Sequence, residues 1–252
     1  MSYSTNGNIT DIISIEYGDI LLRISSIIDI SLVDVPGIPV TVIFTAGCNY
    51  DCPYCQNAEL IPLDSGEEVS ISEIVRRSTG HLSKGHCITG GEPTLHNDLP
   101  ELLLALREKG SQHLNLNTNG SIPTVLEKCL PYLDSIWFDF KTTPSKYHII
   151  SRRSQNAWHN VEHSIDLILQ SDVKFWPRTT YVGGLMMPSD IEDIAEWLAD
   201  HGFSGRYLVQ NYVESSGVRE SERDKLLKPD LGELQYLANL DSSEVRIELE
   251  WR

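Results

Sequence analysis

Short apolar segments rich in β-branched residues alternate along the chain with amphipathic segments of helical period. The apolar segments predict strands at residues 40–44, 87–89, 113–116, 135–140, 173–181 and 206–212, with a terminal strand near 245–251. Between the strands, apolar residues recur at spacings of three and four, as at Leu99, Leu102 and Leu106, which predicts helices. The six or seven β/α units in series predict a parallel sheet, either curled or open.

Capping signals predict where two of the helices begin. Ser70-x-x-Glu73 and Ser189-x-x-Glu192 each place a serine three residues before a glutamate and just ahead of an apolar helical face. Further helices are predicted at residues 125–130, 158–170 and 231–240, and the polar stretch 214–225 is predicted to be a loop.

Polar and glycine-bearing motifs lie at the C-terminal ends of the predicted strands. They occupy residues 45–48, 90–92, 117–120, 139–141, 178–180 and 210–211. Because the carboxyl ends of parallel strands share one edge of the sheet, these motifs should meet there, where β/α barrels build their sites. We expect a single domain over residues 36–252, with residues 1–35 as an N-terminal extension packed on it.

Composition narrows the functional classes. The 252 residues suffice for one α/β domain with a full core. A net charge of −16 argues against wide contact with nucleic-acid phosphates, so no nucleic acid is expected. There is no run of about 20 apolar residues, so no membrane span is expected. With five cysteines, three of them crowded together, a disulfide framework is disfavoured and a cytoplasmic location is expected.

The crowded cysteines are Cys48, Cys52 and Cys55, with the spacing C-x3-C-x2-C. Three thiolates at this spacing can hold three irons of a [4Fe–4S] cube and leave the fourth iron without a protein ligand. A zinc site is the alternative, but zinc usually takes four ligands from two paired clips. The outlying Cys87 and Cys129 have no such partner and are predicted to be buried in the core.

A second motif, Gly90-Gly91-Glu92-Pro93, follows the next predicted strand. Together with the cysteine spacing, it makes the chain resemble the radical S-adenosylmethionine (SAM) superfamily. The resemblance implies a partial (β/α)6-type open TIM barrel of parallel strands with short N- and C-terminal extensions. It also implies one [4Fe–4S] cluster and SAM as cofactors. An electron from the cluster would cleave SAM to a 5′-deoxyadenosyl radical, which abstracts a hydrogen atom.

The resemblance also assigns roles around the cluster, where the three cysteines are the metal ligands and the catalytic residues. Tyr54 would lie against the adenine of SAM. Gly90 and Gly91, lacking a Cβ, would let the backbone approach the methionyl group. Glu92 would help to hold the methionyl ammonium.

Further SAM contacts follow from a narrower resemblance to glycyl-radical activating enzymes. Asp139 and Lys141 resemble their Asp-x-Lys element, in which the acid lies near the ribose and the lysine pairs with the methionyl carboxylate. Asn117-Thr118 resembles their Asp-Thr-Asn-Gly turn, with Asn117 in the acidic position. Arg178, in Arg-Thr-Thr after a strand, is a candidate for a carboxylate or ribose contact.

Within that branch, Ser31-Leu-Val-Asp-Val-Pro-Gly37 and Phe44-Thr-Ala-Gly-Cys48 resemble the opening of anaerobic ribonucleotide reductase activating proteins. Gln56 stands where that family often has histidine. The resemblance implies a glycyl-radical enzyme as protein substrate and an electron donor such as a flavodoxin or ferredoxin. Two alternatives stay open: the same chemistry on a small molecule or modified nucleoside, and a non-catalytic iron–sulfur or zinc binding module.

Overall fold

The computed structural model describes residues 20–152, 157–239 and 244–251. One sheet of nine strands organises this part of the chain. In chain order the strands are β1 (Leu21–Ser31), β2 (Val40–Thr45), β3 (Glu67–Ser70), β4 (Gly85–Gly90), β5 (His113–Thr118), β6 (Ser135–Asp139), β7 (Lys174–Tyr181), β8 (Gly205–Asn211) and β9 (Val245–Glu250). Their order in space is β3-β1-β2-β4-β5-β6-β7-β8-β9.

In the spatial order β2-β4-β5-β6-β7-β8-β9, every neighbouring pair of strands is parallel. β1 is antiparallel to both of its neighbours, β2 and β3. The predicted parallel sheet is therefore confirmed, and the predicted terminal strand is its last member. No pairing joins the edge strands β3 and β9 within the described residues, so the sheet is open there. β1 belongs to the same sheet, while residues 1–19 of the expected N-terminal extension lie outside the described residues.

The helices lie in the connections between these strands. They are α1 (Ile71–Ser78), α2 (Leu99–Glu108), α3 (Pro123–Cys129), α4 (Tyr147–Ser151), α5 (Ala157–Leu169), α6 (Pro188–Asp200), α7 (Glu220–Arg223) and α8 (Leu231–Leu234). Short 3-10 turns occupy Ala58–Leu60, Pro93–Leu95, Leu130–Tyr132, Pro144–Lys146 and Gln235–Asn239. None of the helices in the described ranges has the length and hydropathy of a membrane span.

One of the two predicted helix starts is confirmed and the other is wrong. At α1 the Ser70 Oγ accepts from the Glu73 N–H at 3.3 Å, which is one half of the capping box, while the Glu73 carboxylate pairs with Arg76 and Arg77. α6 begins earlier than expected, with Met187 as its N-cap and Pro188 in the first turn. Proline fits that position because its missing N–H would have no helical partner. The Asp190 carboxylate then accepts from the Met187 N–H at 2.8 Å, the part expected of Glu192.

Two other expectations near the C-terminus were only partly right. The predicted loop 214–225 contains the short helix α7. The predicted last helix is the short α8 followed by a 3-10 turn, Gln235–Asn239, and Leu240 lies outside the described residues.

Side chains on the inner face of the sheet lie in layers. A small apolar cluster that includes Val42, Cys87 and Trp176 fills the space near the amino ends of the strands. Because strand side chains alternate between faces, the residue two positions after Cys87 or Trp176 lies on the same face and nearer the carboxyl edge. Cys87 and Cys129 are both fully buried, which confirms their predicted core positions. The apolar layer thus leaves the polar residues together at the carboxyl edge.

Candidate functional site

A cavity of about 460 Å³ opens at the carboxyl edge of the parallel strands. All twelve residues singled out in the sequence line it: Cys48, Cys52, Tyr54, Cys55, Gly90, Gly91, Glu92, Asn117, Thr118, Asp139, Lys141 and Arg178. The fold therefore brings together side chains from the ends of β4, β5, β6 and β7 and from the loop after β2.

Residues 46–58 after β2 form what we call the cysteine loop. Main-chain hydrogen bonds fix its start, from Gly47 N to Leu60 O at 2.8 Å and from Cys48 N to Ile61 O at 3.1 Å. Within the loop, the Cys55 N–H donates to the Cys52 carbonyl at 3.2 Å, which closes a turn between these two thiols. None of the three thiols is in a disulfide.

Burial suppresses ionisation of these thiols. It raises the pKa of Cys48 to about 12, with the nearby Glu92 charge adding to the effect. It raises the pKa of Cys52 to about 11 and also raises that of Cys55. The Lys141 charge opposes the increase at all three thiols. Because the thiolate is the form that binds iron, metal uptake must displace these protons.

The donor set fits a [4Fe–4S] cluster with one open iron. Three thiols line the cavity and no fourth cysteine does so among the described residues. In the described part of the chain, no three His, Cys, Asp or Glu side chains come close enough to hold a single metal ion. The cavity wall also holds the buried Tyr50 and Tyr54 hydroxyls, neither of which has a hydrogen-bond partner among the described residues. Such orphaned polar atoms suit a polar ligand.

The structure shows why residues 90 and 91 are glycines, which the sequence did not reveal. A Cβ on Gly90 would lie 2.1 Å from the Thr45 carbonyl oxygen, and one on Gly91 would lie 2.0 Å from the Gly47 carbonyl oxygen. The Glu92 N–H also donates to the Gly47 carbonyl, at 2.9 Å. The two glycines therefore let the end of β4 pack against the backbone that leads into the cysteine loop.

Glu92 is only 1% exposed, and its carboxylate already has four protein donors. These are Thr94 N at 3.1 Å, Thr94 Oγ1 at 2.6 Å, Thr118 Oγ1 at 2.6 Å and Asn119 N at 2.7 Å. Burial raises the pKa of Glu92, and the four donors counteract that rise. Glu92 thus joins the turn after β4 to the turn after β5, and its contact with a methionyl ammonium stays a prediction.

Asp139 lies between two cations on the cavity wall. Its carboxylate accepts from Arg178 Nε at 2.5 Å and from Lys141 Nζ at 3.1 Å. Burial alone would raise the pKa of Asp139, but the charges of Arg178 and Lys141 lower it to about 2. Burial alone would likewise lower the pKa of Lys141, but the Asp139 carboxylate outweighs burial, so the pKa of Lys141 is raised. Two cations against one anion leave this group with one excess positive charge, which suits a ligand carboxylate.

Asn117 belongs to a neutral chain of hydrogen bonds inside the sheet. Its Oδ1 accepts from Asn115 Nδ2 at 2.8 Å, and its Nδ2 donates to Thr89 Oγ1 at 3.3 Å. Where the activating-enzyme motif has an acid, this chain therefore has an amide whose partners are also uncharged.

Several cavity residues were not among the predicted site residues. They are Tyr50, Gln56, Asn57, Thr89, Asn119, Thr180 and residues 210–213. Thr180 and Gln210 could have been found, because they lie in the polar motifs at the C-terminal ends of predicted strands. His96 does not line the cavity; its Nε2 lies 3.0 Å from the Ala46 carbonyl oxygen, which fits a packing role.

Sequence comparison places the chain among known proteins. The profile of the Radical SAM superfamily matches residues 42–199. Over 223 residues the chain is 31% identical to a protein of Methanocaldococcus jannaschii whose name assigns it provisionally to the glycyl-radical enzyme activating enzymes; the match covers 86% of this chain and 90% of that protein. The pyruvate formate-lyase-activating enzyme of Clostridium pasteurianum is 29% identical over 168 residues, which are 64% of this chain and 68% of that enzyme.

Solved structures share the fold. QueE from Escherichia coli superposes with a TM-score of 0.55 at 16% identity, covering 92% of this chain and 95% of QueE. Streptococcus suis SuiB bound to S-adenosylmethionine superposes with a TM-score of 0.61 at 19% identity, covering 83% of this chain; the chain spans about half of SuiB, 49%. The expected α/β fold with a mostly parallel, partial-barrel sheet is thereby confirmed.

Proposed function

This chain belongs to the radical SAM superfamily, and from that premise we propose that it generates a glycyl radical on a partner enzyme. Family membership implies a [4Fe–4S] cluster and SAM. The observation that carries the proposal is that the three thiols and the Asp139, Lys141 and Arg178 group line the same cavity. The two activating-enzyme relatives support the choice of a protein substrate.

The cluster, when bound, supplies the electron that cleaves SAM to a 5′-deoxyadenosyl radical, the species that abstracts the hydrogen atom. The protein binds, orients and shields these groups. Cys48, Cys52 and Cys55 hold the cluster. Lys141, which Asp139 holds in place, would offer its charge to the methionyl carboxylate, and Asp139 would lie near the ribose.

Further residues complete the SAM pocket. Tyr54, which lines the cavity, would lie against the adenine. Gly90 and Gly91 keep the backbone close to the methionyl group, while Glu92 and Thr118 hold the adjoining turns together. Arg178 and Asn117 line the remaining wall.

The protein substrate that we propose is a glycyl-radical enzyme such as anaerobic ribonucleotide reductase. The motifs Ser31-Leu-Val-Asp-Val-Pro-Gly37 and Phe44-Thr-Ala-Gly-Cys48 support this choice. The electron then comes from a small carrier such as a flavodoxin or ferredoxin.

The test is anaerobic. The chain is reconstituted with iron and sulfide, reduced, and given SAM, and 5′-deoxyadenosine is measured by mass spectrometry. A candidate glycyl-radical enzyme is then added, and its radical is sought by electron paramagnetic resonance. We expect 5′-deoxyadenosine to rise with the partner as the radical forms. The Cys52→Ala variant should hold no stable four-iron cluster and form neither product, and a Cys52→Ala variant with both would refute the ligand assignment.

A second candidate is the same chemistry on a small molecule. It is favoured by the amide and hydroxyl groups of Asn119, Thr180 and Gln210, which line the cavity beyond the residues assigned to SAM. Such groups are typical of sites that orient a small polar substrate. If 5′-deoxyadenosine rises with a metabolite extract and with none of the glycyl-radical enzymes, this second candidate replaces the first.

A further inference from the structure

Residues 213–223, which we call the strap, follow β8 and lie against the cysteine loop. The contacts fall on both sides of the pair Cys52 and Cys55. Arg219 binds the backbone at Asp51 and Cys52. On the other side, the Val213 carbonyl accepts from the Gln56 side chain and the Gly217 carbonyl accepts from the Ala58 N–H.

Arg219 makes the first of these attachments. Its guanidinium donates to the Asp51 carboxylate and to the main-chain oxygens of Asp51 at 3.4 Å and Cys52 at 3.5 Å. Arginine suits this task because its planar fork can serve several acceptors at once. The Cys52 carbonyl that it holds also accepts from the Cys55 N–H, so Arg219 acts on the turn between the two thiols.

Gly217 makes the second attachment. The Ala58 N–H donates to the Gly217 carbonyl at 3.2 Å, and Gln56 Nε2 donates to the Val213 carbonyl at 2.9 Å. A Cβ at Gly217 would lie only 1.7 Å from the Gln56 carbonyl oxygen. The strap and the cysteine loop are thus in backbone contact, and a side chain at residue 217 would separate them.

The strap is itself well anchored. Val218 is 1% exposed and packs in the main core. Arg223 donates to the Ser216 carbonyl at 2.6 Å and to the Val218 carbonyl at 3.0 Å, which fixes the curve of the strap. Glu222 pairs with Arg152 at 2.7 Å. The strap can therefore determine where the cysteine loop lies.

Asp51 receives additional support from the end of α4. Its N–H donates to the Ser151 carbonyl at 3.0 Å, and its carboxylate lies 3.6 Å from Arg152 Nη1. Arg152 is the one described non-glycine residue with positive φ, at 54°. Such a conformation is uncommon for arginine and persists where surrounding contacts fix it.

We propose that Arg219 and Gly217 are positioning residues that hold the Cys52 and Cys55 part of the loop in its cluster-binding shape. The chain then retains its cluster only while the strap is docked. The inference rests on the proposed function only in that these thiols take up the cluster.

The first test needs no iron. The three loop thiols and the two core thiols of the iron-free chain are alkylated with N-ethylmaleimide, and the rate at each cysteine is read by peptide mass spectrometry. In Arg219→Gln, Cys52 and Cys55 should react about tenfold faster, the scale of a lost charge-assisted hydrogen bond. Cys87 and Cys129 should stay unreactive, because a general loosening would expose them too.

The second test follows the reconstituted protein. Iron release to a chelator should be about tenfold faster in Arg219→Gln, and Arg219→Lys should fall between it and the parent because lysine keeps the charge but not the fork. The matched control is Arg246→Gln, which removes an exposed pair with Glu248. Gly217→Ala should act like Arg219→Gln, whereas Gly232→Ala should not, since its Cβ would meet nothing closer than 3.4 Å.

The outcomes separate the two proposals. If Cys52 and Cys55 react at parent-like rates in both Arg219→Gln and Gly217→Ala, the proposed positioning role of the strap is overturned, whatever the iron content. If alkylation is faster in the two variants but the reconstituted parent never holds iron, the positioning role of the strap is supported and the proposed function is contradicted. A uniform rise at all five cysteines would show a loss of folding and would also overturn the positioning role.

Discussion

Asp139 and Arg178 are register partners on the neighbouring parallel strands β6 and β7, and Arg178 Nε donates to Asp139 Oδ1 at 2.5 Å. The guanidinium carbon also lies 5.4 Å from the centre of the Trp137 ring. Arg178 therefore pairs with the acid while resting on the apolar layer beneath it. The pair places a charged wall at the carboxyl edge of the sheet, next to Lys141.

Asp139→Asn should destabilise the fold, because it leaves Arg178 and Lys141 facing each other without an anion. Loss of one partner from a mostly buried pair costs about 3 kcal/mol of unfolding free energy. Urea denaturation at pH 7 measures the change. Asp193→Asn, on an exposed position of α6, is the control and should leave the midpoint unchanged. Equal midpoints for the two variants would contradict the prediction.

The same carboxylate should make stability depend on pH in the acid range. Asp139 has its pKa lowered from 3.8 to about 2, since the Arg178 and Lys141 charges outweigh burial. A depressed folded-state pKa contributes stability that is fully present above pH 3.8 and is lost as pH falls toward 2. The unfolding free energies of the parent and of Asp139→Asn should therefore converge as pH falls. A gap that stays constant from pH 6 to about pH 2 would refute the assignment.

Lys141→Ala should weaken SAM binding while the cluster is retained. The proposed contact is a charge-assisted one between Lys141 and the methionyl carboxylate of SAM. Its removal corresponds to about a tenfold to hundredfold rise in the Kd for SAM. Equilibrium dialysis of the reconstituted protein gives the Kd, and an iron assay confirms the cluster. Lys84→Ala, at the opposite edge of the sheet, is the control. Unchanged affinity in Lys141→Ala would leave this lysine as an ion-pair partner of Asp139 alone.

Glu92→Gln should destabilise the turns at the carboxyl edge. The amide keeps the shape of the side chain, but its NH₂ group replaces one of the two carboxylate oxygens. At Oε2 it would face the Asn119 N–H and at Oε1 the Thr94 N–H, so in either orientation a main-chain donor loses its acceptor. A buried donor without a partner costs about 1–3 kcal/mol. Thermal and urea unfolding measure the loss, with Glu127→Gln on the exposed side of α3 as control. A parent-like stability for Glu92→Gln would mean that the second carboxylate oxygen adds nothing that an amide cannot supply.

Much of the fold could be predicted because its signals are local. The strand at residues 113–116 and the helix near residue 70 follow from periodicity and from a cap within a few residues. The start of α6 was misjudged because two overlapping cap patterns exist there, and Pro188 favours the earlier one. The candidate site was likewise foreseeable as a set, since its residues follow strands that end at one edge.

By itself, the sequence determined the parallel strands, most of the helices and the three thiols, because periodicity and C-x3-C-x2-C spacing act over a few residues. It did not predict the antiparallel strands β1 and β3 or the short helices α4 and α7. Only the tertiary structure decided which residues distant in the sequence contact one another. Arg219 meets Asp51 across 168 residues, and Glu92 meets Asn119 across 27. Such contacts depend on which strands are neighbours and in what register, and no local pattern states that choice. The chain thus specifies the thiols locally, whereas the backbone contacts of the strap and the four donors around Glu92 exist only in the assembled sheet.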